Sequence, residues 1–178
     1  MNSKKALQLS INSLVVIIIS LVILSAGIVL LRNFFAGTAE IKAKLDSQTE
    51  SKIAGLLAEG EPVAVPVNRK TIQAGEHSTF GLGILNIIQD TPQSGFNVDV
   101  VFTNAYDRTN TIITAIDGQE WLLYDEEGFT MQSNEQKIIP ILIRVSKDAV
   151  PGSYIFTVTV TADGNEYGKH KIYVEVPG

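Results

Sequence analysis

An uncharged block of 21 residues, 11–31, constrains this chain more than any other feature. It reads INSLVVIIISLVILSAGIVLL. As an α-helix it would be about 31 Å long, which matches the roughly 30 Å hydrocarbon core of a bilayer. Because the block is apolar on every face, a buried core helix of a small domain is a poorer interpretation. We predict a transmembrane helix that runs from Ile11 through Leu14 to Leu31 and has the lipid bilayer as its partner.

The charges around this block set its predicted orientation. Lys4 and Lys5 precede it, and only Arg32 follows it closely. By the positive-inside rule, residues 1–10 are a cytoplasmic basic leader. We therefore expect a single-pass cell-membrane protein whose C-terminal domain is extracellular. The alternative is a cleaved secretory signal ending near 37–39, but the apolar regions of such signals are only about 7–15 residues long.

The leader also carries a resemblance. Its Lys4-Lys5-Ala6-Leu7-Gln8-Leu9-Ser10 stretch, followed by a long apolar helix, resembles the start of archaeal type IV pilin-like proteins. The resemblance implies cleavage by a prepilin-type peptidase between Ala6 and Leu7, and self-association through the N-terminal helix. Ile11 stands where many pilins carry Glu. The wider layout is similar to uncharacterised archaeal membrane-anchored proteins with a β domain, which implies an architecture but no activity.

Residues 32–60 follow as a charged segment without proline. Four apolar residues fall near one helical face: Ile41, Leu45, Ile53 and Leu56. Gly60 and Pro62 end the pattern. We predict a helical stalk over 32–60, with two alternatives: a helix packed on its own domain, or a surface for self-association.

After Pro62 the pattern changes to short alternating runs separated by turn residues, which is typical of strands. The clearest alternations lie at 96–102, 139–145, 154–160 and 172–176. Pro140 interrupts one of them and indicates an edge position or a bulge. About eight strands with no helix among them predict an all-β antiparallel immunoglobulin-like sandwich over residues 61–178.

A second resemblance supports that fold. Val150-Pro151-Gly152-Ser153-Tyr154 leads into a threonine-rich strand, and the span 135–176 is similar to the closing strands of immunoglobulin-like bacterial and archaeal surface modules. Such modules have many functions, so the resemblance implies a fold and no activity. The chain has no cysteine, so the core must hold the domain together without disulfides.

Few residues suggest chemistry. All 19 acidic residues lie at Glu40 or later, against 11 Lys and Arg in the same stretch, which argues against nucleic acid as a partner. His77 and His170 lack the nucleophile and orienting partner that covalent catalysis requires. The acidic run 125–127 lacks calcium-loop spacing and is interpreted as a solvated turn. We predict no enzyme activity, no cofactor and no metal site.

Two further motifs leave structural alternatives. Gly81 and Gly83 do not precede a helix as a phosphate loop would, and they indicate a bulge or close backbone packing. Trp121 is either an exposed platform for a sugar or a buried core residue of the sandwich.

The residues together predict a non-enzymatic, membrane-anchored structural or interaction protein of the cell surface. Its finer version is a pilin-like filament subunit, and other envelope proteins are further candidate partners. The alternative is an envelope module that binds a carbohydrate or protein ligand on the same single-pass anchor.

Overall fold

The computed structural model describes residues 16, 19–21, 45–114 and 116–178. The chain divides into two compact units, Met1–Glu40 and Ile41–Gly178. In the first unit, residues 16 and 19–21 are helical and exposed. There the Ser20 hydroxyl donates to the Val16 carbonyl oxygen at 2.8 Å.

The second unit contains one α-helix and nine strands among its described residues. Helix α1 spans Ser47–Ala58. The strands are β1 Val63–Ala64, β2 Arg69–Thr71, β3 His77–Leu85, β4 Gln93–Tyr106, β5 Leu122–Leu123, β6 Phe129–Gln132, β7 Gln136–Arg144, β8 Gly152–Ala162 and β9 Asn165–Val176. A single 3-10 turn, Gly118–Trp121, leads directly into β5.

The strands form two sheets. Sheet A has the order β1-β3-β7-β5, and sheet B has the order β2-β9-β8-β4-β6. Every pairing is antiparallel except that of β2 with β9, where Arg69 lies opposite Tyr173 in a parallel register. Between Ala64 and Arg69 the chain therefore crosses from sheet A to sheet B.

The core lies between the two sheets because alternate residues of each strand face inward. It is built from residues such as Phe80, Leu82, Ile84, Val100, Ile141, Ile143, Tyr154, Phe156, Val158 and Ile172, all fully buried. The Trp121 ring lies 4.6 Å from the Tyr154 ring, centroid to centroid. The Tyr154 hydroxyl donates to the Val150 carbonyl oxygen at 2.8 Å, which fixes the turn before β8 as a tyrosine corner does.

Helix α1 packs on the outer face of sheet A. Asp46 begins the helix by accepting the Thr49 N–H at 2.6 Å. Ile53 and Leu57 are buried against β3, where a Cβ added to Gly81 would stand 2.7 Å from Ile53 Cδ1. A Cβ on Gly83 would clash with Ile53 Cγ2. The prediction of close packing at these two glycines is confirmed, and the close approach is that of a helix.

The predicted fold class, a transmembrane helix and helical stalk ahead of the sandwich, is wrong for the part of the chain that the structure describes. That part is mostly β, and none of its helices is long and apolar enough to cross a membrane. Within the described residues the stalk prediction is wrong, because the apolar face of α1 is buried on the glycine strip of β3, as the alternative of a helix packed on its own domain predicted. The prediction of a single-pass membrane protein is wrong for the same residues. Residues 32–44 of the predicted stalk lie outside the described residues. Most of the predicted span, including Ile11, Leu14 and Leu31, lies outside the described residues.

Two strand predictions have clear outcomes. Pro140 lies opposite Gly81 of β3, while β5 pairs only with Leu142 and Ile143 of β7. The ring of Pro140 therefore stands where β7 has a strand on one side only, so the edge prediction is confirmed. The prediction of an antiparallel sandwich is wrong at one place, because β2 pairs with β9 in parallel.

Candidate functional site

A concavity lies at one end of the sandwich, between the 3-10 turn and the segment that follows β7. Its volume is about 470 Å³. Charged side chains of both signs line it: Asp117, Glu120, Arg144, Lys147 and Asp148. Trp121 also lines it, but only 5% of this residue is exposed, because its ring packs on Tyr154. The exposed sugar platform is therefore wrong, and Trp121 belongs to the core.

The histidines do not form a catalytic centre with each other. His77 is exposed at the start of β3, and the His170 ring nitrogen Nε2 lies 3.0 Å from the Val63 carbonyl oxygen. The acidic run 125–127 is exposed, with the Glu127 N–H donating to Asp125 Oδ1 at 3.1 Å. Across the described ranges, no three His, Asp or Glu side chains are grouped closely enough to hold a metal ion.

A broad polar surface covers the outer face of sheet B. On β8, the outward residues Ile155, Thr157, Thr159 and Thr161 alternate with buried ones. In register with them, β9 presents Lys169, Lys171 and Tyr173, and β4 presents Asp99, Val101 and Asn104. We call these ten residues the outer face of sheet B.

Charge is distributed unevenly across this face. In one row, Lys169 lies beside Thr159, which lies beside Asp99 on the far strand. With strands about 4.8 Å apart, the ammonium side of the face is roughly 10 Å from the carboxylate side. Beside β9, the Arg69 guanidinium carbon lies 4.5 Å from the Tyr173 ring centroid, and Arg69 forms an ion pair with Glu175. Lys169 Nζ lies 3.4 Å from Glu166 Oε2 on its own strand, an exposed pair that another carboxylate can replace. The apolar members of the face are Ile155, in its end row, and Val101, on β4.

At the edge of β4, side chains take the place of a neighbouring strand. β6 pairs with β4 only from Gln93 to Phe96. Beyond that point, Gln119 Nε2 donates to the Val100 carbonyl oxygen at 3.0 Å, and Gln119 Oε1 accepts the Phe102 N–H at 2.8 Å. The Tyr124 hydroxyl accepts the Val100 N–H at 3.0 Å, and burial raises the pKa of this phenol.

The other edges are also covered by side chains. Lys70 Nζ donates to the Thr79 carbonyl oxygen on the edge of β3 at 2.6 Å, and burial lowers the pKa of this amine, partly offset by Asp46. The fully buried Asn86 donates from Nδ2 to the Met131 and Gln132 carbonyl oxygens of β6, at 3.0 and 3.1 Å.

Comparison with known proteins gives no family. No family model and no curated protein matches the chain. The chain is similar to the PapD-like domain 7 of human CEP192 at 11% identity and TM-score 0.45, covering 65% of this chain and 84% of that one. It is similar to MyfA, the major subunit of Myf fimbriae from Yersinia enterocolitica, at 16% identity and TM-score 0.35, covering 65% and 98%.

A third similarity is to a family 123 glycoside hydrolase from Clostridium perfringens, at 14% identity and TM-score 0.44. It covers 61% of this chain, which spans only 23% of the hydrolase. The function must therefore be argued from the residues of the chain itself.

The predicted site residues and the residues that cover the strand edges are different. Ala6 and Leu7, the predicted cleavage pair, lie outside the described residues. The edge-covering roles of Gln119 and Asn86 were not predicted from the sequence. Asp117-Gly118 does signal the turn that presents Gln119, since Asp117 Oδ1 accepts the Gln119 N–H at 2.9 Å. Nothing in the sequence indicates where that side chain points.

Proposed function

We propose that this protein is a non-enzymatic structural or interaction protein of the cell surface, and that its β domain assembles with copies of itself through the outer face of sheet B. The observation that carries the proposal is the row Lys169–Thr159–Asp99, which places opposite charges on opposite sides of one open face.

Two-fold symmetry makes such a face self-complementary. If two copies stack face to face about an axis through β8, the Lys169 side of one copy meets the Asp99 side of the other, twice. Ile155 of β8 then lies near the axis with the threonines of that strand, and Val101 of β4 faces the aliphatic stem of Lys171 of the second copy.

The composition of the face favours association. Thr157, Thr159 and Thr161 are β-branched and have few side-chain rotamers to lose when they are covered. Tyr173, held beside Arg69, supplies the aromatic contact area that interfaces favour. By contrast, the outer face of sheet A is occupied by α1, so sheet B provides the broad open face of this domain.

A charge-swap experiment tests the proposal. Sedimentation of the full chain over a range of concentrations measures its self-association. Lys169→Glu places a carboxylate against Asp99 of the second copy, and Asp99→Lys places an ammonium group against Lys169 of the second copy. Each variant alone should weaken self-association about tenfold, because two exposed contacts change from attraction to repulsion. An equimolar mixture of the two should recover the original affinity.

Lys52→Glu is the matched control, since Lys52 is exposed on α1 and makes the same charge change away from sheet B. It should leave self-association unchanged. A wild-type chain that stays monomeric at every concentration would overturn the proposal, and so would a mixture that associates no better than either variant alone.

A further inference from the structure

The edge of β4 beyond Phe96 shows the backbone of a strand without a strand beside it. Val100 and Phe102 direct their backbone groups away from β8, as their bonds to Gln119 and Tyr124 show. Because the direction of the backbone groups alternates with a period of two residues in an antiparallel strand, the N–H and C=O of Val98 also point away from β8. Val101, between them, is 45% exposed. The segment Val98–Phe102 is thus the length of an ordinary pairing surface.

Gln119 satisfies this edge with the geometry of a peptide group. A residue in a parallel ladder donates its N–H to one residue of the neighbouring strand and accepts the N–H of the residue two positions on. The Gln119 carboxamide does this toward Val100 and Phe102, with one side chain in place of a main chain. The residue is exposed, so these bonds lie at the surface.

The turn that carries Gln119 is itself fixed on the domain. A Cβ on Gly118 would stand 2.6 Å from the Phe102 ring, so only glycine allows the turn to approach β4 this closely. Trp121 anchors its other end in the core. The turn therefore acts as a short substitute for a strand.

We propose that the side chains of Gln119 and Tyr124 are an edge guard, and that the surface they cover pairs antiparallel with the same segment of a second copy of this chain when these side chains are removed. The register supports a second copy as the occupant. Centred on Val100, it places Val98 opposite Phe102 and Asp99 opposite Val101. Each hydrogen-bonded pair exchanges two N–H···O bonds, and no like charges lie opposite each other.

The competing edges are less suited to this pairing. The unpaired part of β9 carries Lys169 and Lys171, and edge lysines oppose pairing between strands. On the edge of β3, Lys70 Nζ bonds to the Thr79 carbonyl oxygen. On the edge of β6, the side chain of the buried Asn86 bonds to the Met131 carbonyl oxygen. Residues 98–102 combine β-branched side chains with a single charge, Asp99.

The test removes the guard from the full chain. In a Lys169→Glu background, which suppresses pairing through the outer face of sheet B, Gln119→Ala and Tyr124→Ala are combined, so that both covering side chains are lost. The expected result is a dimer whose fraction rises at least tenfold over that background. Backbone amide exchange at Val98, Val100 and Phe102 should slow as concentration increases.

Two further variants define the register. Adding Val101→Asp places a carboxylate opposite Asp99 and should return the protein to the monomer. Gln93→Ala is the matched control, because Gln93 lies on β4 but its side chain bonds only to the Thr130 hydroxyl, at 2.8 Å, and its loss releases no backbone group. It should stay monomeric in the same background.

A guard-deficient chain that keeps its circular dichroism spectrum, remains monomeric and exchanges these amides rapidly at every concentration would overturn the inference. So would a dimer that Val101→Asp leaves intact. Neither result bears on the charge-swap experiment, which uses chains with the guard in place.

Discussion

The side-chain amide of Gln119 bonds to Val100 as a strand's peptide group would, with an N–O distance of 3.0 Å. With the bonds from the Phe102 N–H to Gln119 and from the Val100 N–H to Tyr124, this contact satisfies part of the exposed edge of β4. Unpaired edges favour pairing with other chains, and natural sheets cover them in several ways. Here the covering is done by polar side chains on turns, which individual substitutions can remove.

The glycine strip under α1 gives the first prediction. Gly83→Ala places a methyl group against Ile53, so the helix must move outward and lose contact with β3. We expect a loss of about 1–3 kcal/mol in the free energy of unfolding, measured by urea denaturation. Gly55→Ala is the control, because Gly55 is an exposed position inside α1 with no atom near its added Cβ, and it should gain up to about 1 kcal/mol. Equal effects at both positions would show that α1 does not sit on β3.

The buried Asn86 gives the second prediction. Its side chain donates to two carbonyl oxygens of β6 and accepts the Ile88 N–H at 3.0 Å, all with the residue fully buried. Asn86→Leu leaves those backbone groups without partners and should lower the free energy of unfolding by about 1–3 kcal/mol. Asn97→Leu, at an exposed position of β4, should change it by less than about 0.5 kcal/mol. Urea denaturation of both variants measures the difference.

The third concerns alkaline pH. Burial raises the pKa of Tyr124, Tyr154 and Tyr167 above the ordinary value of 10.0. A phenol whose pKa is higher in the folded state contributes stability that is complete below pH 10 and is lost as the pH rises through the folded pKa. We therefore expect the free energy of unfolding to fall above pH 10.

A titration followed by tyrosinate absorbance checks this. Three of the five tyrosines should ionise late, and Tyr124→Phe should remove one late step. Early ionisation of all five in the folded protein would contradict the burial of these phenols.

The fourth concerns the leader. If the pilin-like resemblance of residues 4–10 holds, protein isolated from its native cells should lack its first six residues, with Leu7 as the new N-terminus. Intact-mass analysis measures this directly. Ala6→Asn is a suitable control, because the small residue before the cut is what the peptidase is expected to recognise. Recovery of the complete N-terminus in the wild-type protein would contradict the processing.

Much of sheet B could be predicted from the sequence, because period-two alternation alone indicates which side of a half-buried strand faces the core. Val98 and Val100 on β4, and Phe156 and Val158 on β8, are buried as their alternation indicates. The close approach at Gly81 and Gly83 could also be predicted, since glycine leaves room that some neighbour must fill.

The partner of α1 could not be predicted in the same way. An amphipathic pattern shows that one face of a helix is covered, but not by what, and Ile53 fits a stalk interface as well as a sheet. The role of Gln119 was not predictable either, because an isolated polar residue in a turn has no periodicity. Both depend on contacts between residues distant in the sequence.

The crossing of the chain from sheet A to sheet B also determines how the domain responds to force. β2 runs parallel to the last strand, β9, with Arg69, Lys70 and Thr71 opposite Tyr173, Val174 and Glu175. If the chain before β2 and the chain after β9 are pulled in opposite directions, these two strands slide along each other, and their hydrogen bonds are loaded together rather than one at a time. The domain should therefore resist stretching between its two ends better than a hairpin that opens from one side.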